Sequence, residues 1–187
     1  NEEDQGALFF DADSDRDLDL YVVSGTFEYA TTSPNQQDRL YKNDGKGNFK
    51  LDPLALPETQ SSGSCVRAAD IDSDGDLDLF VGGRIIPGAY PMPAESYVLV
   101  NENGKFSNKT AELCKDLQFA GMITDALWTD VDGDSQIDLI VTGEFMPIRV
   151  YRQNSGKFER LSDTGLDGFP GWWNSITGAD FDRDGDI

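Results

Sequence analysis

Four times in 187 residues the chain places aspartate at alternate positions and then runs into an apolar stretch. The copies are "FFDADSDRDLDLYVVSG" from Phe9, "AADIDSDGDLDLFVGG" from Ala68, "WTDVDGDSQIDLIVTG" from Trp128 and "GADFDRDGDI" from Gly178. Their first aspartates, Asp11, Asp70, Asp130 and Asp180, stand 59, 60 and 50 residues apart. A second element follows three of them: "LYKNDGKGNF" (40–49), "VLVNENGKF" (98–106) and "VYRQNSGKF" (150–158). Self-similarity at this period restricts the fold to architectures that set one supersecondary unit beside copies of itself.

Each unit reads as four short strands. "GALFF", "CVRAA", "DALWT" and "NSITGA" lead into the acidic segments, and "LDLYVVS", "LDLFVGG" and "IDLIVTG" leave them with partly alternating, β-branched character. The Asn- and Gly-rich stretch before each Phe reads as a hairpin turn between a third and a fourth strand. Only "KTAELCKDL" (109–117) invites a helical turn or two. Four-stranded units at this spacing predict an all-β fold, a fragment of a β-propeller. It would hold about three blades (approximately 1–60, 61–117 and 118–170) and the start of a fourth (171–187), with the acidic loops joining first and second strands. Closed propellers carry about four to eight blades, so an open arc is expected, with apolar faces and strand edges exposed at its ends. A second copy, by self-association through those edges, or the rest of a longer parent protein would cover them. The opening Asn-Glu-Glu-Asp resembles no signal peptide.

Carboxylates crowded this closely repel one another unless a cation sits among them. Calcium takes about six to eight oxygens, and a tight loop can supply them from alternate positions. In a nine-residue loop, positions 1, 3, 5 and 9 offer side chains and position 7 a backbone carbonyl. The first loop then offers Asp11, Asp13, Asp15 and Asp19 with the carbonyl of Asp17; the second offers Asp70, Asp72, Asp74 and Asp78 with that of Asp76. The third offers Asp130, Asp132, Asp134 and Asp138 with the carbonyl of Gln136. The fourth has Asp180, Asp182, Asp184 and, at position 7, Asp186, but ends before its ninth position. Calcium is thus expected in three complete sites and one truncated site. Position 6 calls for glycine at a sharp turn of positive φ; Gly75 and Gly185 comply, and Arg16 and Ser135 do not, so loops one and three are expected to be strained or weaker. The apolar residue at position 8 (Leu18, Leu77, Ile137) is expected to point inward and anchor the loop.

Acidic turns that merely hydrogen-bond their own backbone are the plain alternative, and four copies in one register argue against it. An EF-hand loop would continue to a carboxylate at position 12 between helices; here that position is Val22, Val81 or Val141, inside a strand. Magnesium suits such a carboxylate-rich cage less well. The chain has no histidine, which removes Ser-His and Cys-His triads and His-ligated zinc together. With 35 acidic against 15 basic residues the net charge is −20; such a surface repels nucleic acid, and four bound calcium ions would still leave −12. The apolar runs are too interrupted for direct insertion into a membrane. Cys65 and Cys114 are either one bridge or two buried thiols, the latter being the commoner state of such residues.

"DADSDRDLDLYVVSG", "DIDSDGDLDLFVGGR" and "DVDGDSQIDLIVTGE", each followed by an Asn/Gly hairpin, resemble FG-GAP/VCBS repeats, the calcium-binding blades of integrin-α-type β-propellers. "GGRIIPGAYPMPAESYVLVNENGKF" and "GWWNSITGADFDRDGD" resemble bacterial VCBS proteins related to the ASPIC/UnbV and cartilage-acidic-protein group. The resemblance covers nearly the whole chain. It implies calcium-binding blades displayed extracellularly, at the cell surface or in the periplasm, and does not specify a ligand.

Two connections are longer than a blade needs, 24–38 and 82–96, and loops on a rigid scaffold often carry recognition. Phe27 and Tyr29 in the first, and Arg84, Tyr90 and Met92 in the second, are candidates for contact with a protein or glycan ligand; clamping the loops to the blades is the other use for them. Trp172 and Trp173 suit sugar stacking, or packing of at least one indole between blades. Asn108-Lys109-Thr110 is a glycosylation sequon, meaningful only in a secreted eukaryotic protein. Glu144 could serve as an acid or base, but it shows no partner and reads as a solvated strand-end charge. The leading expectation is a non-enzymatic calcium-stabilised scaffold. The alternatives are part of a calcium-dependent carbohydrate-active enzyme, a polysaccharide lyase or hydrolase, which needs an acid or base beyond the metal ligands, and a purely structural module of a larger surface protein.

Overall fold

The strand-forming runs on either side of each acidic segment pair with each other, and the hairpins after them complete three antiparallel sheets. The computed structural model describes residues 2–182. Blade 1 consists of β1 (Asp4–Phe10), β2 (Asp19–Ser24), β3 (Arg39–Asn43) and β4 (Phe49–Leu51). Blade 2 consists of β5 (Gly63–Ala69), β6 (Asp78–Gly83), β7 (Tyr97–Glu102) and β8 (Lys105–Asn108). Blade 3 follows with β9 (Met122–Thr129), β10 (Asp138–Met146), β11 (Arg149–Asn154) and β12 (Lys157–Arg160). Within each blade the strands lie side by side in chain order, and the three sheets remain open rather than closing into a ring. Each of the first three acidic loops joins a first to a second strand.

The second strands show why the sequence there is almost continuously apolar. On β6, Leu79 and Val81 pack into a core shared with Phe10, Tyr21, Val23 and Leu40 of blade 1. Phe80, between them, points the other way into a core shared with Leu139, Val141 and Tyr151 of blade 3. A strand buried on both faces has no polar side to alternate with. The cores thus lie between blades, and each blade is stabilised by its neighbours. Gly82 marks how closely they approach: a Cβ there would lie 2.7 Å from Ile123 Cγ2. The segment 109–117 forms a short helix, α1 (Thr110–Leu113), and a 3-10 turn over Lys115–Leu117. It delivers Cys114 and Leu117 into the second core, where Cys65 also lies; both cysteines are buried free thiols.

The expected opening strand of a fourth blade, "NSITGA", is not in strand conformation. A two-residue strand just before it, β13 (Gly171–Trp172), pairs with the far end of β10 instead. Residues beyond it nevertheless take the place of a next first strand. Thr124 Oγ1 of β9 donates to Trp173 O at 2.6 Å, as Ser64 Oγ of β5 donates to Ile123 O of β9 at 2.6 Å. Trp173 also donates its indole N–H to Met146 O at 3.1 Å, while Trp172 is 56% exposed.

At the other end of the array, Phe9, Leu20, Tyr41 and Leu51 form one cross-strand row on the outer face of blade 1. Their counterparts at the centre of blades 2 and 3, Leu79, Leu99, Leu139 and Tyr151, are fully buried against the preceding blade. Phe9 is 55% exposed, because no described residue covers this face.

Asp38, just before β3, has no solvent contact of consequence: Oδ1 accepts from Ser24 N and Oδ2 from the Tyr21 hydroxyl, both at 2.8 Å. Burial pushes its carboxyl up to about 7 despite these donors. A carboxyl held above its ordinary value of 3.8 contributes stability that is complete below about pH 4 and is lost as pH rises through about 7. Asp38→Asn keeps an acceptor for Ser24 and removes the ionisation. The variant should gain melting temperature over the parent as pH rises from 5 to 8 in saturating calcium, the difference levelling off above 7. A pH-independent difference would refute this assignment.

Candidate metal centres

Each of the first three acidic loops is a turn closed by its own carboxylates. The first-position aspartate accepts from the sixth-position N–H: Asp11 from Arg16 at 2.9 Å, Asp70 from Gly75 at 3.1 Å and Asp130 from Ser135 at 2.8 Å. The fifth accepts from the seventh: Asp15 from Asp17 at 2.9 Å, Asp74 from Asp76 at 2.9 Å and Asp134 from Gln136 at 2.8 Å. Two left-handed residues per loop make these bonds possible. Position 6 has φ of +74° at Arg16, +96° at Gly75 and +68° at Ser135, so the two non-glycine residues accept the strained conformation that the sequence implies. Position 4 is left-handed as well, at Ser14, Ser73 and Gly133. Only the recurrence of small residues there hints at it.

The ninth-position aspartate is the most buried group of each loop, and both its oxygens are occupied. Asp19 accepts from Ala12 N at 3.1 Å and Asn43 N at 2.8 Å; Asp78 from Ile71 N at 3.0 Å and Asn101 N at 2.8 Å; Asp138 from Val131 N at 3.0 Å and Gln153 N at 2.7 Å. One donor lies at position 2 of the loop and the other on the third strand of the blade. These residues were predicted as ligands, and their second role as backbone clasps is a finding of the structure. Burial raises the carboxyls of Asp19 and Asp138 and pushes Asp78 up to about 6. Neighbouring carboxylates add to the rise, and a bound cation would oppose it.

In the first two loops position 2 is the anchor, while in the third both Val131 at position 2 and Ile137 at position 8 are half-buried. Ala12 and Ile71 are buried in the two cores, whereas Leu18 at position 8 is 55% exposed. Leu77 does pack against the first core. The reason lies in the next blade: Asn101 Nδ2 donates to Ala12 O at 2.9 Å and Gln153 Nε2 to Ile71 O, so position 2 is drawn into the blade interface. The Asp76 carboxylate takes a structural role there too, accepting from Ser14 Oγ at 2.9 Å and Asn103 N at 2.8 Å.

Three groups of carboxylates bring one oxygen each within 4.8 Å of one another: Asp11, Asp13 and Asp15; Asp70, Asp72 and Asp78; Asp130, Asp132 and Asp138. Asp19, Asp74 and Asp134 fall outside these groups. Of the fourth loop, Asp180 and Asp182 are among the described residues; Asp184 and Asp186 lie outside them. The fit to a cation is tested by the oxygens left over. Asp11 Oδ1, Asp13 Oδ1 and Asp70 Oδ1 are buried and accept no hydrogen bond, a costly state for an anion that a metal ion would relieve. Donors that are all oxygen suit a hard cation such as calcium or magnesium.

Candidates outside the loops sort differently. Glu144, expected to be solvated and unpaired, is 3% exposed and accepts from Arg84 Nε at 3.0 Å. Arg84 directly follows β6 and Glu144 lies near the end of β10, the second strands of adjacent blades, and stacking the repeats brings the two together. Arg84 is therefore committed to its neighbour. Tyr90 and Met92 of the same loop are exposed, as is Phe27 of the loop 24–38; Tyr29 is half-buried, its carbonyl accepting from Gln36 Nε2.

The two roles of the loop aspartates separate by mutation. Asp78→Ala leaves the buried N–H groups of Ile71 and Asn101 without acceptors, about 1–3 kcal/mol for each, and should destabilise the chelated protein. Asp72→Ala should leave that baseline nearly unchanged and remove only the stabilisation that calcium confers. Equal losses in chelator, by urea denaturation, would show that the ninth position is not a clasp.

No curated protein matches the sequence at a significant level. A family model for the FG-GAP-like repeat matches residues 11–81 and 130–187, more than half of the chain and all four acidic loops. With three open four-stranded sheets whose first loops gather carboxylates in register, the chain belongs to the FG-GAP-like repeat family.

Proposed function

We propose that this chain is a calcium-stabilised array of propeller blades, a non-enzymatic extracellular scaffold that presents its loops to a protein or glycan partner. The observation that carries the reading is the set of buried, unpartnered carboxylate oxygens at Asp11, Asp13 and Asp70 within clusters repeated in three loops. Calcium supplies charge neutralisation there and ties the first hairpin of each blade. The oxygens of positions 1 and 3 hold it, while the ninth position aligns the loop against the third strand. Modest affinity suffices where calcium is millimolar, as outside the cell; among the described residues no helix is long and apolar enough to cross a membrane.

Recognition falls at the end of the blades opposite the metal loops. β10 runs from Asp138 at its loop to Met146 at the far end, and there Phe145 meets Trp172 with ring centroids 4.9 Å apart and Tyr90 at 6.4 Å. Three exposed aromatic rings in contact offer the apolar, amphipathic surface that protein and sugar ligands use. Glu144, paired in register with Trp172, is held by Arg84, which favours binding over acid–base chemistry. The exposed row on blade 1 gives the array a second adhesive surface, through which copies can self-associate.

Titrating calcium into chelator-stripped protein tests the reading. At one hundred times the dissociation constant, each site should add about 2.7 kcal/mol, a rise of roughly 5–10 °C in melting temperature per site. Magnesium should do less. A melt unchanged by excess chelator, with no calcium in the purified protein by elemental analysis, would sink the proposal.

A further inference from the structure

The three loops are not equivalent in what surrounds them. The residue before the third-strand amide is Lys42 in blade 1, Val100 in blade 2 and Arg152 in blade 3. Lys42 Nζ lies 2.8 Å from Oδ2 of Asp13, the third-position carboxylate of its own loop. Arg152 Nη1 lies 3.6 Å from Oδ2 of Asp132, the same position of the third loop. Val100 puts no charge beside Asp72.

The space around the loops differs in the same sense. Gly104, in the hairpin of blade 2, closes over the first loop: a Cβ there would stand 2.8 Å from Lys42 Nζ and 2.9 Å from Asp13 Cβ. The lysine is therefore held against its aspartate. Gly156, the counterpart of Gly104 in blade 3, has open space where a Cβ would be. Beside it, a cavity of about 370 Å³ is lined by Asp70, Asp72, Ser135, Gln153, Ser155 and Gly156. Loop two thus opens onto room for an ion and its waters, at the position where loop one carries an ammonium group.

Charge runs in parallel. Loop one has five aspartates, opposed by Arg16 and Lys42, which leaves −3; loop three has four, opposed by Arg152, which also leaves −3. Loop two keeps all five unopposed, at −5, and has glycine at its left-handed sixth position.

We infer that Lys42 and Arg152 are tethered cations that compete with calcium for the third-position carboxylate, so that the Asp70–Asp78 loop binds first and tightest while the first and third loops fill only at higher calcium. This grading rests on the calcium reading above. It gives the blades separate thresholds: the blade 2 hairpin is tied at low calcium, and its neighbours stiffen as the concentration rises.

Isothermal titration calorimetry of the 187-residue chain with calcium chloride tests this, starting from chelator-stripped protein. The parent should show one tight equivalent followed by weaker binding, and Asp70→Asn should abolish the tight step. Lys42→Val should tighten one weak site about tenfold, a charge-assisted hydrogen bond discounted for partial exposure, and Arg152→Val should tighten another by less, because its ion pair is longer and more exposed. Lys50→Val removes the same charge from the neighbouring strand without touching an aspartate and should change little. Val100→Lys should weaken the tight step, with circular dichroism confirming the fold; if it does not fold, the Lys42 and Arg152 variants decide alone. Equal affinities at all sites in the parent, or an effect of Lys42→Val no larger than that of Lys50→Val, would overturn the grading and leave calcium binding intact. Absence of any calcium binding by the parent would overturn both.

Discussion

The buried ninth-position carboxylate holds each blade's acidic loop to its sheet. At Asp78 one oxygen takes the N–H of Ile71, at the start of the loop, and the other the N–H of Asn101, at the end of the third strand. A single anion thereby sets the distance between the loop, the second strand that carries it and the third strand beside it. Asp19 and Asp138 do the same in their blades. Burying an anion is costly unless its lone pairs are matched; here two backbone donors match it, and a cation on the loop side would complete the compensation. The acidic cluster is therefore part of the fold's polar skeleton, and its remaining carboxylates are arranged around a clasp that the backbone already requires.

From that clasp the blades are linked to each other. The third-strand amide, Asn101 or Gln153, donates from its side chain to the position-2 carbonyl of the preceding loop. The same residue thus binds its own loop through its backbone and the neighbour's loop through its side chain. This couples loop geometry to blade stacking, and the apolar residues at position 2, Ala12 and Ile71, are pulled into the cores between sheets. Asn43 stands at the corresponding place in blade 1, on the side where the Phe9–Leu51 row is exposed; its Nδ2 reaches only back to Leu18 O, at 3.2 Å.

What was legible in the sequence was whatever repeats. The period of the aspartates and hairpins specified three four-stranded units, the place of the acidic loops and the first- and third-position carboxylates gathered in each, because these rest on local spacing; which of the fifth and ninth positions joins them was not legible. Signals that depend on a neighbouring blade were not legible. Glu144 looked solvated because its partner, Arg84, is sixty residues away and meets it only when blades stack. Leu18 looked like an anchor because position 8 is apolar in all three loops, yet the interface draws on position 2. The clasping role of Asp19, Asp78 and Asp138 left a faint trace, the recurring amide in "YKN", "LVN" and "YRQ". Its meaning needed the third strand to be seen beside the loop.

The charge of −20 can be understood in the same terms. A stack of loops that each concentrate four or five carboxylates repels itself, and every cation close to a loop eases the strain on that blade. A fixed side chain does so permanently and independently of the surroundings; a metal ion does so only when the medium supplies it. Blade 1 uses Lys42 with Gly104 closed over it, and blade 2 leaves the place open. On the calcium proposal, the central blade, packed on both faces by its neighbours, tolerates dependence on an exchangeable ion because two cores already hold it. Blade 1 has only one such core among the described residues, and it is there that the built-in cation sits closest to its aspartate.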